Sequence, residues 1–182
     1  MKNTVDIKSD GINVYITSNV QANKKGKIVL TILNSSVLIF YIWFISSLKN
    51  EEAGKFLVPV VLMFIMFVFF PWRYWFWNFF GKEIIIINTK TITRHYHYGI
   101  LQTNPKTLPH NRLATTYEFV RNFENEEFGR LHFISYNIDT NLPEALFQTS
   151  VIIPKKAINR IEMEIQNVFN NENLNNISFS VN

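Results

Sequence analysis

The stretch KEIIIINTKTITRHYHYG, residues 82 to 99, decides how this chain is built. Ile84 to Ile87 form an unbroken β-branched run of strand length, which reads as a strand buried on both faces. Asn88, Thr89 and Lys90 supply a turn, and the run from Thr91 to Tyr98 then alternates. Ile92, Arg94, Tyr96 and Tyr98 share one face of this second strand, while Thr93, His95 and His97 share the other. Gly99 closes it. Short β-rich runs separated by turn residues indicate an antiparallel all-β module rather than βαβ units.

Downstream, further strands are read at Gln102 to Leu108, Leu113 to Arg121, Arg130 to Tyr136 and Leu146 to Ile153, with an acidic loop from Glu124 to Gly129. After Pro154 the period changes to 3.6: Ala157, Ile158, Ile161, Ile165, Val168 and Phe169 form a stripe opposite Lys156, Asn159, Glu162 and Gln166. This predicts a C-terminal amphipathic helix over 155–170, whose apolar face covers the open end of a small bent sheet. Residues 171–182 are asparagine-rich and are expected to be a disordered tail.

Upstream the solvent changes. Ile28 to Leu48 is a run of 21 residues without a formal charge, long enough at about 1.5 Å per residue to cross a roughly 30 Å hydrocarbon core. A second uncharged run, Phe56 to Trp72, continues past Arg73 into aromatic residues and predicts a span over about 56–76. Arg73 can snorkel to the headgroups while Trp72, Tyr74, Trp75 and Trp77 settle at the interface as anchors. Pro59 falls near the first turn of that helix, where its missing N–H costs little. The seven residues from Lys49 to Lys55 then make a tight connection, so 28–80 is read as an antiparallel transmembrane hairpin with both chain ends on one side. Lys24, Lys25, Lys27, Arg73 and Lys82 flank the hairpin, against Lys49 and Lys55 in its loop, which places both termini in the cytoplasm. The first span is too long for a signal-peptide core, starts late and lacks a small-residue cleavage pattern.

Within the first span Asn34, Ser35 and Ser36 are polar, a composition typical of interhelical contacts in lipid. Asn34 is expected to bond either the Asn34 of another copy or a backbone carbonyl of its own hairpin. No ionisable residue lies mid-span, so the marks of an ion path are missing. In the N-terminal arm, residues 1–27, Ile12 to Thr17 alternates and is a candidate extra strand.

Composition agrees with this division. Of 182 residues 47% are hydrophobic and 18% charged, against about 25% charged in ordinary soluble domains. Residues 1–82 carry nine basic and four acidic side chains, and residues 83–182 carry nine and ten, so the positive charge flanks the membrane segment. A nucleic-acid partner, which needs basic charge concentrated on the folded surface, is therefore excluded. Cysteine is absent, which removes disulfides, thiolate metal sites and cysteine nucleophiles.

Few residues suggest chemistry. His95 and His97, at i and i+2, can offer two imidazoles to a metal, but a third ligand would have to come from His110, His132, Asp139 or a loop carboxylate. A polar strand surface is the plainer reading. Glu124, Glu126 and Glu127 form a solvated loop rather than an acid–base pair, and neither a Gly-x-Ser-x-Gly elbow nor a glycine-rich phosphate loop occurs. No cofactor is implied. Lys90 and Arg94 are candidates for binding an anionic headgroup or a partner.

The aromatic-ended second span, Gly81, Lys82 and Glu83 leading into Ile84 to Ile87, the Thr-rich strand with a basic residue ending at Gly99, and the final amphipathic helix together resemble uncharacterised bacterial membrane proteins. Those proteins carry two N-terminal transmembrane helices and a pleckstrin-homology-like (PH-like) domain. The resemblance covers roughly 56–170 as a pattern of elements, departing from it at Ser150 to Pro154 and in the insertion Asn137 to Glu144. It implies a small, strongly bent β-barrel over 81–170, closed by the C-terminal helix. The expected function is that of a non-enzymatic inner-membrane protein whose PH-like domain meets a protein partner or another copy at the cytoplasmic face. Lipid-headgroup sensing through Lys90 and Arg94, or a metal-dependent membrane enzyme using the His95 and His97 face, are the alternatives.

Overall fold

In a computed structural model, which describes residues 5–47, 50–67 and 71–178, the chain divides into two units. Residues 21–81 form a helical unit, and the segments on either side of them form a β unit.

Nine strands and one helix make up the described β unit. β1 (Val5–Ser9), β2 (Val14–Asn19), β3 (Lys82–Ile87), β4 (Thr91–His97) and β5 (Lys106–Pro109) form an antiparallel sheet in that order. The β1–β2 turn is held by the Asp10 carboxylate, which accepts the N–H groups of Ile12 at 2.9 Å and Asn13 at 2.6 Å. Gly11, at φ +87°, occupies the left-handed position this turn needs. β2 pairs with β3 from Val14↔Ile87 to Asn19↔Lys82, so the residues before the helical unit share a sheet with those after it.

The isoleucine run is not buried on both faces. Ile85 and Ile87 point into the core, whereas Ile84 and Ile86 are half-buried between the outward side chains of β2 and β4. The third inward residue is Glu83.

The second sheet contains β6 (Arg112–Phe123), β7 (Glu126–Tyr136) and β8 (Pro143–Gln148), with β9 (Ile153–Pro154) also paired to β7. The expected acidic loop is shorter than Glu124 to Gly129. Only Glu124 and Asn125 leave the ladder, both with positive φ (51° and 62°), as a tight hairpin turn with right-handed strand twist requires. Gly129 lies opposite Phe119, and a Cβ there would come within 2.3 Å of both the Glu118 carbonyl oxygen and the Tyr117 ring. The strand expected from Gln102 contracts to Lys106–Pro109, leaving an isolated His97–Gln102 bridge; Pro105, which lacks an N–H, precedes it. The strand expected over Leu146 to Ile153 starts earlier and is split into β8 and β9.

α4 (Lys155–Ser178) packs on β1 and β2 of the first sheet and on β7 and β9 of the second, burying Ile158, Ile161, Ile165 and Val168 of the predicted stripe. It runs past residue 170, so the segment expected to be disordered is helical to Ser178, and 179–182 lie outside the described residues. The asparagines weaken a helix only slightly, and the segment contains no Gly or Pro to end it.

In the helical unit α1 (Lys24–Ser47) is long and apolar enough to cross a membrane by length and composition. The second expected span is not one such helix. α2 (Asn50–Phe67) contains an apolar part over Val58–Phe67, and α3 (Arg73–Phe80) follows. Between them Pro71 and Trp72 have π-helical backbone, while 68–70 lie outside the described residues. Pro71 has no N–H to donate to a preceding carbonyl, and it lies at this π-helical step. α2 also begins at Asn50, so most of the expected Lys49 to Lys55 connection is helical and Pro59 sits inside the helix rather than in its first turn. Lys49 lies outside the described residues. The Tyr41 hydroxyl donates to the Val60 carbonyl at 2.9 Å, and Trp75 Nε1 donates to Thr31 Oγ1 at 3.0 Å, joining α1 to α2 and α3.

Ile161 is wholly buried where α4 meets both sheets. Ile161→Ala should destabilise the β unit by about 2–5 kcal/mol, measured as a fall in the denaturation midpoint of the full chain at unchanged slope.

Candidate functional site

Glu83 enters β3 beside Lys82, and because it shares a face with Ile85 and Ile87 its carboxylate is carried into the interior, where it is completely buried. The loop after β8 meets it there. The Ser150 N–H donates to Oε1 at 3.1 Å and Oε2 at 2.9 Å, and the Val151 N–H donates to Oε2 at 3.2 Å. Burial raises the Glu83 carboxyl above its ordinary value, opposed by these two N–H groups and by the nearby Arg94 guanidinium. Arg94 Nη1 donates to the Gln148 carbonyl at 3.1 Å while its guanidinium lies over the rings of Phe147 (4.5 Å) and Tyr96 (5.2 Å). The Tyr96 and Ser150 hydroxyls are 2.7 Å apart. One corner of the unit is thus a polar clamp that ties β3 and β4 to the β8–β9 loop.

Arg94 is therefore a packed structural group. Lys90 stands exposed in the β3–β4 turn, where its N–H is bonded by Asn88 Oδ1. Four residues of extended chain put their Cα atoms roughly 13 Å apart, so the two do not converge on one headgroup.

His95 and His97 do share a face of β4. The buried Nδ1 of His95 has no hydrogen-bond partner, and its pKa is lowered by burial and by His97; Nδ1 of His97 accepts the Gly99 N–H at 3.1 Å. The other candidate ligands are engaged elsewhere. His110 Nε2 lies 2.9 Å from the Asn88 carbonyl and its ring stacks on Phe169, while His132 Nε2 lies 2.9 Å from Glu118 Oε2. Asp139 is exposed in the turn between β7 and β8, where its backbone N–H is bonded by Asn137 Oδ1. Among the described residues no group of three or more His, Cys, Asp or Glu could hold a metal ion. Glu124 lies in the hairpin turn, Glu126 follows it opposite Phe123, and Glu127 accepts from Lys155 Nζ at 2.7 Å.

In the helical unit Asn34 is the buried residue of α1; its Nδ2 donates to the Leu30 carbonyl of the same helix at 2.8 Å, and its Oδ1 has no partner. Asn34 and Ser35 line a cavity of about 240 Å³ with Trp72, Trp75 and Phe76, whereas Ser36 bonds the Leu33 carbonyl on an exposed face. Trp75 is not a free anchor, since it donates to Thr31 and stacks on Phe79 at 4.5 Å. Arg73 and Tyr74 are exposed at the start of α3, and Trp77 is half-buried, its carbonyl accepting the Gly81 N–H.

The remaining feature is an edge. Each sheet has two edges, and three of the four are blunted: β1 is five residues long and carries the Asp6–Lys8 pair, β5 has four residues ending in Pro109, and the far edge of the second sheet is shared by β8, which opens on Pro143, and the two-residue β9. β6 has twelve residues, contains no proline and pairs only with β7 among the described residues. At its far end Phe119 and Phe123 are 54% and 49% exposed. Such an edge presents a row of backbone donors and acceptors for another strand.

No family model, curated protein or solved structure matches the chain. The sequence reading passed over Glu83 and the β6 edge. Glu83 carried one signal, an acidic residue two and four positions from inward isoleucines; the edge carried only an uninterrupted length.

The sign of the Glu83 effect follows from its raised pKa. The folded state holds the proton more tightly than the unfolded chain, so stability should rise as pH falls from the raised value toward the ordinary carboxyl value of about 4.3, and level off below it. Urea midpoints at stepped pH should show this slope, and Glu83→Gln should flatten it. Glu83→Ala, which strands two backbone N–H groups, should cost about 1–3 kcal/mol at neutral pH.

Proposed function

We propose that this chain is a membrane-anchored, non-enzymatic interaction protein: a transmembrane hairpin holds a PH-like β domain at the cytoplasmic face, where the domain binds a protein partner or another copy. The observation that carries the reading is the pairing of β2 with β3 across a membrane-length apolar helix. Away from the face of Thr31 and Tyr41 that meets α3 and α2, α1 exposes Ile, Leu, Val, Phe and Trp side chains, a surface suited to lipid. Once α1 crosses, β2 and β3 can share a sheet only if the chain crosses back before Lys82. An even number of crossings follows, and the apolar run beginning in α2 and continuing through the aromatic segment to about residue 76 is the segment available for the return. The aromatic residues of α3 then sit at the interface.

The two antiparallel sheets and C-terminal helix support the PH-like reading of the β unit. Lys24, Lys25, Lys27 and Lys82 support a cytoplasmic placement of both ends. A binding role draws its support from the long unpaired edge of β6, because β-augmentation needs main-chain groups rather than a motif. The headgroup reading is weakened by the engagement of Arg94 with Gln148 and Phe147.

Since the chain has no cysteine, single cysteines report topology directly. In intact cells Ala53→Cys should react with an impermeant maleimide and Thr140→Cys should not until the membrane is opened. Labelling of Thr140→Cys from outside, or release of the chain by an alkaline wash, would refute the placement.

A further inference from the structure

Resting on the membrane-anchored reading above, we infer that the free edge of β6 pairs antiparallel with β6 of a second copy, in the register that sets Arg112 opposite Glu118 of that copy. The partner is argued from the strand itself. Residues paired across antiparallel strands point to the same face, so a strand that meets its own copy about a two-fold axis must place one residue opposite itself. Only registers whose paired numbers have an even sum satisfy this. Glu118 can therefore face Arg112, whereas Arg121 lies beyond the irregularity between Phe119 and Arg121, outside the regular ladder.

In the Arg112–Glu118 register the axis passes through Thr115. The outer face then joins Arg112 to Glu118 and Ala114 to Thr116, and the inner face joins Leu113 to Tyr117, each pair occurring twice, while Thr115 meets itself once on the axis. Opposite charges, threonine pairs and aromatic–aliphatic pairs are all favourable cross-strand neighbours. On the inner face Thr115 Oγ1 donates to Glu162 Oε1 of α4 at 2.9 Å and Lys155 Nζ lies 5.5 Å from the Tyr117 ring centre, so the charged pair of the outer face carries the register. Arg112 and Glu118 are exposed; the Arg112 guanidinium lies 5.7 Å from the Tyr136 ring centre, a face contact that leaves its N–H fork at the rim. Glu118 Oε2 lies 2.9 Å from His132 Nε2 and accepts Gln148 Nε2 at 3.2 Å, and a carboxylate has capacity for further donors. No proline or bulge interrupts 112–118, the segment the register uses. Anchoring in one membrane raises the local concentration of copies, so a contact of this modest length suffices.

The full chain in its membrane tests this. Thr115→Cys faces itself across the axis and should give a disulfide-linked dimer under mild oxidation, whereas Thr140→Cys should not. Within the Thr115→Cys background, Arg112→Glu and Glu118→Arg each bring like charges together and should cut the dimer yield by about tenfold. The combined reversal restores the pairing and should restore the yield, which also shows that the single variants had not merely unfolded. A monomeric Thr115→Cys chain, or a yield indifferent to the reversals, overturns the pairing. If that chain still resists an alkaline wash and Ala53→Cys still labels from outside, the anchored reading stands with a different partner; a chain released by the wash takes both down.

Discussion

The register of β2 on β3 is the constraint on which the rest of the molecule depends. Asn19 stands opposite Lys82, so the chain leaves the first sheet and re-enters it at one point, with residues 20–81 between. A flexible insertion of that length would make the pairing slow and entropically costly. Helices change the balance. α1 and α2 are joined by the Tyr41 bond to Val60, and α1 and α3 by the Trp75 bond to Thr31. A hairpin with its ends already held together presents β2 to β3 as near neighbours, and for a chain in a bilayer the same register demands a return crossing.

The strand that closes this excursion also carries Glu83, next to Lys82. A buried carboxylate is tolerated only where its lone pairs are met, and here two N–H groups of the β8–β9 loop meet them with Arg94 close by. The clamp fixes the loop that leads into β9 and α4. Because α4 spans both sheets, the placement of its first turn governs how much of the Ile158, Ile161, Ile165 and Val168 stripe is covered. Local polarity at Glu83 thereby sets the packing of an apolar helix some seventy residues later in the chain.

What the sequence made legible were the elements with a clean period: the alternation of Thr91 to Tyr98, the stripe of α4, and the uncharged length of α1. What it hid has physical causes. Four isoleucines in a row mask a one-sided strand, since periodicity cannot separate a half-buried Ile84 from a buried Ile85. Pro59 lies inside α2 because the helix already runs from Asn50, and the residues Asn50 to Lys55 carry no apolar period that marks that start. The asparagines after residue 170 suggested disorder by composition, but a helix already nucleated by a buried stripe propagates at small cost per residue. The β1–β2 hairpin was legible only as Ile12 to Thr17 because β1, with Asp6 and Lys8 outward, lacks an apolar run of its own. The candidate interaction edge was invisible: backbone groups have no letter.

An open edge of twelve residues is ordinarily an aggregation hazard, and that makes its neighbours informative. β1, β5 and β8 are short, charged or proline-bearing, so three of the four edges are closed to further pairing. A two-fold β6 pair would use the same patch on both copies and cover residues 112–118 of each edge. Growth would stop at the dimer, in contrast to the open filament that a head-to-tail contact generates. Paired about that two-fold axis, an edge that would otherwise be a liability would be a self-limiting contact.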